Sequence, residues 1–345
     1  MGEHVDPRVD PWLIDESEFY EIESHADQMA FLIRYAVLAP SGHNAQPWSF
    51  RITHDGVEVF ADYSRRVAIA DPADRELMLS VGTTITNFRV AAAHFGYEAT
   101  VLYQDRPEES LPVALIALRE TCATPAALRR LFPAITARRT NRGEFETREI
   151  EPDAISELNE FMAAHSSFAH FLVPADRERA AELVEKADRI LLKSRGFRNE
   201  LADWVRPKST DACDGICADG LGIPDPLASA TPWFLRSFDV SALQAKRDRG
   251  LIELSAALLV ITSEDDRVSL IRAGETLELL LLLLTRLHLN YSFINTPIEV
   301  ETLRAQLWAT LRSPHPPQLL LRIGYARSVP RPQPRRDSER TLVAP

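Results

Sequence analysis

Apolar residues recur at helical spacing over residues 26–38 (ADQMAFLIRYAVL), and the run stops at Pro40, whose ring cannot continue a helix. Period-two alternation predicts strands at Trp48–Ile52 and Val57–Ala61, with His54-Asp55-Gly56 as the hairpin turn between them. Residues 73–96 predict a long helix closed by Gly96, because glycine takes the left-handed turn past a helix end without steric cost. A strand at Leu111–Leu118 and a short helix at 125–131 follow, then helices at 152–164 and 176–192 around a strand at 168–173. The last third predicts a strand at Ala257–Thr262, helices at 265–289 and 299–311, and a final strand at Leu319–Ile323. The leucine-rich helix is apolar nearly all round and is expected in the core, with Glu275 and Glu278 marking a cleft-facing edge. Residues 1–18, acidic and Pro-containing, read as an extended arm. Residues 206–237, rich in Pro, Gly, Asp and Ala, read as a long loop or lid.

The elements repeat. Residues 27–39 align without gaps on 152–164, an offset of 125. Asp74-Arg75 and Gly82-Thr83-Thr84-Ile85 align on Asp266-Arg267 and Gly274-Glu275-Thr276-Leu277, an offset of 192. The difference of 67 places an insertion in the second half, over the lid-like stretch. The first offset carries the polar loop Pro40–Trp48 onto 165–173, and carries Arg138–Arg142 back onto 13–17; neither motif has a counterpart there. Each half keeps what the other lacks, so one surviving composite site is expected, in an α+β chain of two fused related halves, 1–123 and 124–345.

Composition narrows the function. With 39 basic and 50 acidic side chains the net charge is −11, which disfavours general nucleic-acid binding. Three cysteines cannot form a disulfide-dense scaffold. The acidic first residues lack the basic and apolar regions of a signal peptide. The run Leu279–Leu284 is far shorter than the roughly 18 apolar residues of a membrane span, so a cytoplasmic protein with no membrane partner is expected.

Three segments carry candidate chemistry. Arg138, Arg139 and Arg142 with the Thr140 hydroxyl form an anion-binding cluster, since guanidinium forks match phosphate oxygens; the alternative is a solvated stretch balanced by nearby glutamates. The tail from 322 to 340 holds six arginines, of which Arg335 and Arg336 could clamp the same phosphate. The Pro40–Trp48 loop is rich in donors and acceptors suited to the edge of a flat heterocycle, or it simply caps the preceding helix. Thr296-Pro297-Ile298-Glu299 lies at a helix junction where backbone N–H groups can face a cleft. Cys213 and Cys217 have no further ligands at zinc spacing, so no metal site is expected.

These residues resemble a known family. Ala39–Trp48 (APSGHNAQPW) is similar to the APSxxNxQPW signature of the FMN-dependent nitroreductase superfamily, and Arg138–Phe145 (RRTNRGEF) to its RRSxRxF motif, with Thr140 for serine. Pro297-Ile298-Glu299 resembles the PxEG turn, with Val300 where glycine is usual; Pro317–Tyr325 followed by Pro334-Arg335-Arg336 resembles the C-terminal strand and arginine. The order, with the arginine motif about 100 residues after the loop motif, resembles the fused twin nitroreductases of the mycobacterial Acg type.

The resemblance implies a nitroreductase-like α+β fold in which the two halves form an intramolecular pseudo-dimer, hence a monomer, with one FMN between them. It implies Arg138, Arg139, Thr140 and Arg335 or Arg336 at the phosphate and ribityl chain. Arg142 would lie at the N1/O2 side of the ring, Pro40, Ser41, Gly42 and Asn44 along the ring, and the Glu299 and Val300 backbone after Pro297 near N5. Lys246 and Arg249 are candidates for a further cation near the ring. The implied activity is hydride transfer from NADH or NADPH through FMN to a small nitroaromatic, quinone or other electrophile. The alternative is a flavin-sequestering protein whose lid covers the ring without turnover.

Overall fold

The structure, a computed structural model, describes residues 10–105, 108–207, 211–217, 228–311 and 313–344. Helix α1 (His25–Ala36) starts where the Ser24 side chain accepts the Asp27 N–H. It leads into strands β1 (Trp48–Ile52) and β2 (Gly56–Ala61), the long helix α2 (Arg75–His94), and strands β3 (Tyr97–Tyr103) and β4 (Ala114–Glu120). These four strands form an antiparallel sheet in the order β1-β2-β4-β3.

The chain continues through α3 (Ala126–Arg129), α4 (Phe132–Ala137) and α5 (Pro152–Ala164) to β5 (Ala169–Phe171). Helices α6 (Pro174–Lys193) and α7 (Arg195–Trp204), the short parallel pair β6 (Val205–Arg206) and β7 (Ile216–Cys217), and helices α8 (Thr231–Ser237) and α9 (Ser241–Glu253) then intervene. Strand β8 (Ala257–Thr262), helix α10 (Arg267–Arg286), strand β9 (Asn290–Phe293), helices α11 (Thr296–Glu299) and α12 (Glu301–Thr310) and strand β10 (Pro317–Gly324) complete the fold. The second sheet runs β5-β8-β10-β9, again first, second, fourth, third. Strand β10 lies between two neighbours and is buried along its whole length, which its PQLLLRIG sequence tolerates.

Helices α2 and α10 cross at two glycines. A Cβ added at Gly82 would lie 2.0 Å from the Ile271 carbonyl oxygen, and one at Gly274 would lie 2.0 Å from that of Leu79. The two glycines are 192 residues apart, and so are the residues they strike, Leu79 and Ile271. The same spacing relates Gly96 (φ 88°) and His288 (φ 57°), which take the left-handed turn from each long helix into its edge strand. A single apolar core runs through both sheets and this crossing.

Several expectations change. The first described residues are not an extended arm: Asp10–Trp12 and Glu16–Glu21 form 3-10 turns, with Trp12 and Phe19 buried. Within the 206–237 segment β7 and α8 form regular structure; residues 208–210 and 218–227 lie outside the described residues. Glu275 and Glu278 face no cleft. Glu275 is buried against the Tyr103 hydroxyl at 2.7 Å, and Glu278 is buried beneath Arg138. Among the described residues no helix is long and apolar enough to cross a membrane.

Candidate functional site

The Pro40–Trp48 loop is held in an unusual backbone. His43, Asn44 and Gln46 all have φ between 51° and 57°, a left-handed conformation costly for side chains other than glycine. Internal bonds hold it there. Ser41 Oγ accepts the Gln46 N–H at 2.8 Å, and Gln46 Nε2 donates to the Cys213 carbonyl at 2.8 Å. Asn44 is fully committed: Nδ2 donates to the Gly215 and Pro334 carbonyls, both at 3.0 Å, and Oδ1 accepts from Arg335 at 2.7 Å. Asn44 therefore ties residues 211–217 and the C-terminal tail to the loop, rather than offering its amide outward. Arg65 adds an ion pair to Asp214.

Arg138–Arg142 lies beside β9. The Asn141 N–H donates to the Tyr291 carbonyl at 2.9 Å, and the Asn141 side chain reaches Asn290 and Ser328. Arg322 is buried beneath the segment, donating to the Gly143 carbonyl at 2.7 Å, with its guanidinium 4.1 Å from the Phe145 ring centre. Arg138 donates to the Tyr291 hydroxyl at 2.6 Å and to the Leu38 carbonyl at 2.8 Å; Arg335 also reaches that carbonyl, at 3.1 Å. The guanidinium groups of Arg139 and Arg335 lie over the Trp12 ring, at 4.3 and 4.9 Å from its centre.

Two abutting cavities open among these groups. The smaller, about 50 Å³, is walled by Trp12, Thr140, Gln333 and five arginines, Arg138, Arg139, Arg142, Arg331 and Arg335. The larger, about 200 Å³, runs on past Gly42, His43, Glu76, Leu277, Asn295 and Glu299. Pro40, Ser41, Arg142, Ile216 and Phe293 line both. The loop, the arginine segment and the tail thus meet at one site.

Electrostatics divides it. Burial opposes the Arg138 charge, but the Tyr291 hydroxyl and Glu278 outweigh it and hold the guanidinium charged. Burial, then Arg138, push Arg139 down to about 10. Burial, then Arg138 and Arg139, hold Arg335 well below the ordinary arginine range. Guanidinium groups keep their protons near neutral pH. These shifts therefore measure what burial, and then the crowding of like charges, costs the cluster. Glu278 approaches Arg138 Nε at 3.3 Å without an aligned hydrogen bond. Arg142 lies at the junction of the cavities, and among the described residues its guanidinium has no hydrogen bond or ion pair to the protein. The donor set suits a phosphate dianion at one end and an uncharged, edge-polar group at the other.

Other candidates fall elsewhere. Arg336 donates to the Gln46 and Arg340 carbonyls and lines neither cavity. Pro297 and Val300 line neither; Val300 packs on a second apolar cluster, and its carbonyl accepts the Leu303 and Arg304 N–H groups. The Glu299 N–H already points to the Asn295 carbonyl at 3.3 Å, while the Glu299 side chain faces the cavity. Lys246 lines neither cavity, and Arg249 is held by Glu178, Glu185 and Glu253. Arg247 is the helix α9 cation whose field reaches Arg142. Sequence reasoning missed Trp12, Tyr291, Ile216, Phe293 and Glu76, none of which carries a local signal. Gln46 was legible as part of the loop motif, and Glu278 as a charge in an otherwise apolar helix, though at a cleft edge rather than beneath Arg138.

No protein-family model matches the chain. Over most of its length the chain is similar to Mycobacterium tuberculosis proteins. One, named "Putative NAD(P)H nitroreductase acg", is 28% identical over 313 residues, 89% of this chain and 92% of that one. Another named "Putative NAD(P)H nitroreductase" is 29% identical over 306 residues, 87% and 86% of the two chains. An uncharacterised protein of the same organism is 26% identical over 331 residues, 90% and 92%. A solved structure described as a putative nitroreductase from Anabaena variabilis overlays with a TM-score of 0.44 at 10% identity, covering 95% of this chain and 93% of that one. The chain is an α+β protein and a homologue of the Acg-type proteins named as nitroreductases.

Proposed function

We propose that this protein is an FMN-dependent oxidoreductase of nitroreductase type, passing hydride from NADH or NADPH through FMN to a small nitroaromatic, quinone or other electrophile. The observation that carries the reading is the arginine-walled cavity opening into a larger one, with the unpaired Arg142 at the junction. When bound, FMN supplies a centre that accepts and returns hydride. The protein's part is to bind and orient it. Arg138, Arg139, Arg331 and Arg335 would hold a phosphomonoester, with Thr140 donating from its hydroxyl. Arg142 would offer its donors to a carbonyl at the edge of the ring, where a cation stabilises developing negative charge. Ser41, whose oxygen already accepts from Gln46, keeps its O–H to donate. Ile216, Phe293 and Leu277 give apolar walls that keep water off the ring.

The equal strand orders and the paired glycines at the crossing favour reading 1–123 and 124–345 as related halves. The crossing lies within one chain, which favours a monomer holding one FMN. One observation favours the sequestering alternative: Ile216 walls both cavities from a segment strapped to Asn44, Gln46 and Gln333. Steady-state oxidation of NADPH by the FMN-loaded protein with a quinone separates the two. Sustained turnover at roughly 1 per second or faster is expected of the enzyme. Stoichiometric reduction without turnover would convert the reading to flavin storage.

A further inference from the structure

Asp71, Glu76, Asp188, Asp248 and Glu299 gather where α2, α6, α9 and α11 meet the wall of the larger cavity. Two of them have structural partners: Asp71 accepts the Arg75 and Leu77 N–H groups, and Asp248 accepts from Gln244 at 2.9 Å. Glu76 and Glu299 line the cavity, as does Asp248 with its Gln244 partner. Glu76 accepts a single bond from the protein, from Asn295 Nδ2 at 3.0 Å. Glu299 Oε2 is buried without a partner, and the Thr296 hydroxyl on the same wall is turned to the Asp188 carboxylate without a well-formed bond. Behind them Asp188 is completely buried, and neither of its oxygens has a well-formed hydrogen bond.

Arg75 lies beneath this group, bonded to the neutral Gln318 side chain at 3.0 Å and to the Ile298 carbonyl at 3.3 Å; its field holds Glu76 and Glu299 down, and burial outweighs it. Arg247 and Arg322 act on Asp248, and Arg142 and the uncharged His43 stand elsewhere on the cavity wall. Adjacent carboxylates withdrawn from water cannot all ionise. Burial, then Asp71, raise Glu76 to about 7. Burial, then Glu76 and Asp188, raise Glu299 well above the ordinary carboxyl range. Burial, then Asp248, raise Asp188 to about 8.

We propose that Glu76 and Glu299 hold a proton between them at the cavity wall and deliver it to an oxygen of the acceptor reduced there. The proposal rests on the oxidoreductase reading. With a quinone as acceptor, hydride drawn from NAD(P)H by way of the bound cofactor brings two electrons and one proton. The second proton comes from the carboxyl: its O–H bond breaks, the electron pair stays on the carboxylate, and a new O–H bond forms on the acceptor. Quinone, hydride and proton balance as hydroquinone. Water entering the cavity restores the proton.

The shared proton is tested without turnover, by infrared difference spectra of the full chain at pH 7 against E76Q and E299Q. A carboxylic-acid carbonyl band lost in both variants is expected, fading in the wild type as the pH rises above about 7. The absence of such a band from both differences would overturn the shared proton, and two variants guard against one failing to fold. Delivery is tested by mixing quinone with dithionite-reduced, FMN-loaded protein. In E299Q the quinone rate should fall by about 100-fold and its solvent deuterium effect should collapse. Oxidation by ferricyanide, which takes up no proton, should change far less. An unchanged quinone rate and isotope effect would overturn delivery. A chain that binds no flavin would overturn the oxidoreductase reading instead, and the infrared result would still decide the shared proton.

Discussion

Gly274→Ala should destabilise the protein by about 3 kcal/mol or more, within the range of severe single substitutions. The added methyl would meet the Leu79 carbonyl oxygen at 2.0 Å, and the atom it strikes is backbone in the second turn of a 20-residue helix. It cannot rotate away as a side chain can. Relief requires α2 and α10 to separate, which opens the core that both sheets share. Helix propensity works the other way, since alanine is the better helix former by about 1 kcal/mol, and it is outweighed. Gly250 supplies the control: it lies inside α9 with nothing within 4 Å of an added Cβ, so Gly250→Ala should be neutral or stabilising by up to about 1 kcal/mol. Urea unfolding measures both. Equal midpoints for the two variants would show that the crossing yields more readily than its geometry implies.

The long helices and most strands were legible in the sequence because each has one period and a clear terminator, as with Pro40 after α1 and Gly96 after α2. Strands β3 and β9 were not. Each starts directly after a long helix, and at the second junction the left-handed turn is made by His288, which carries no glycine signal. Helices α7 and α9 lay hidden for another reason. They pack on α6 and α8 within the long insertion, and their charged faces weaken the apolar period.

At the site, residues that present chemistry were legible as motifs, whereas residues that hold them were not. Arg142 and Ser41 announce themselves by type and spacing. Tyr291 acts through a buried hydroxyl on Arg138, Trp12 through its ring beneath Arg139 and Arg335, and Asn44 through three internal bonds. These contacts join segments more than 100 residues apart, a distance at which no local pattern carries information. The acidic wall was missed for the same reason, since Glu76, Asp188 and Glu299 come from three separate helices.

Arg142→Ala should weaken binding alone, whereas Arg138→Ala should cost folding stability as well. Arg138 is 2% exposed, bonded to Tyr291 and Leu38 and paired with Glu278, which is itself fully buried. Its loss strands that carboxylate, at a cost of about 3–5 kcal/mol in stability. Glu278 already sits near 7, chiefly through burial, with Arg138 and then Arg335 holding it down. Removing Arg138 should drive it further up, so the variant should lose most stability above pH 7, where Glu278 is ionised in the unfolded chain and folding must take up a proton or bury the bare carboxylate. Arg142 has no protein partner to strand. Arg142→Ala should leave the unfolding midpoint nearly unchanged while weakening FMN binding by about 1.5–3 kcal/mol, or roughly 10- to 150-fold. Parallel urea unfolding and FMN titration measure the two effects. If Arg142→Ala unfolds early and binds normally, its guanidinium is structural and the division of roles is wrong.

On the function proposed above, the arginine-walled cavity takes the phosphate of a flavin whose ring enters the larger cavity beside it. Titration of the flavin-free protein with FMN and with riboflavin, followed by quenching of flavin fluorescence, tests it most directly, because the two ligands differ only in the phosphate. Saturation at one FMN per chain is expected, with riboflavin binding weaker by about 100-fold or more, since several charge-assisted hydrogen bonds are lost together. Equal affinity for the two flavins, or no binding of either, would contradict it.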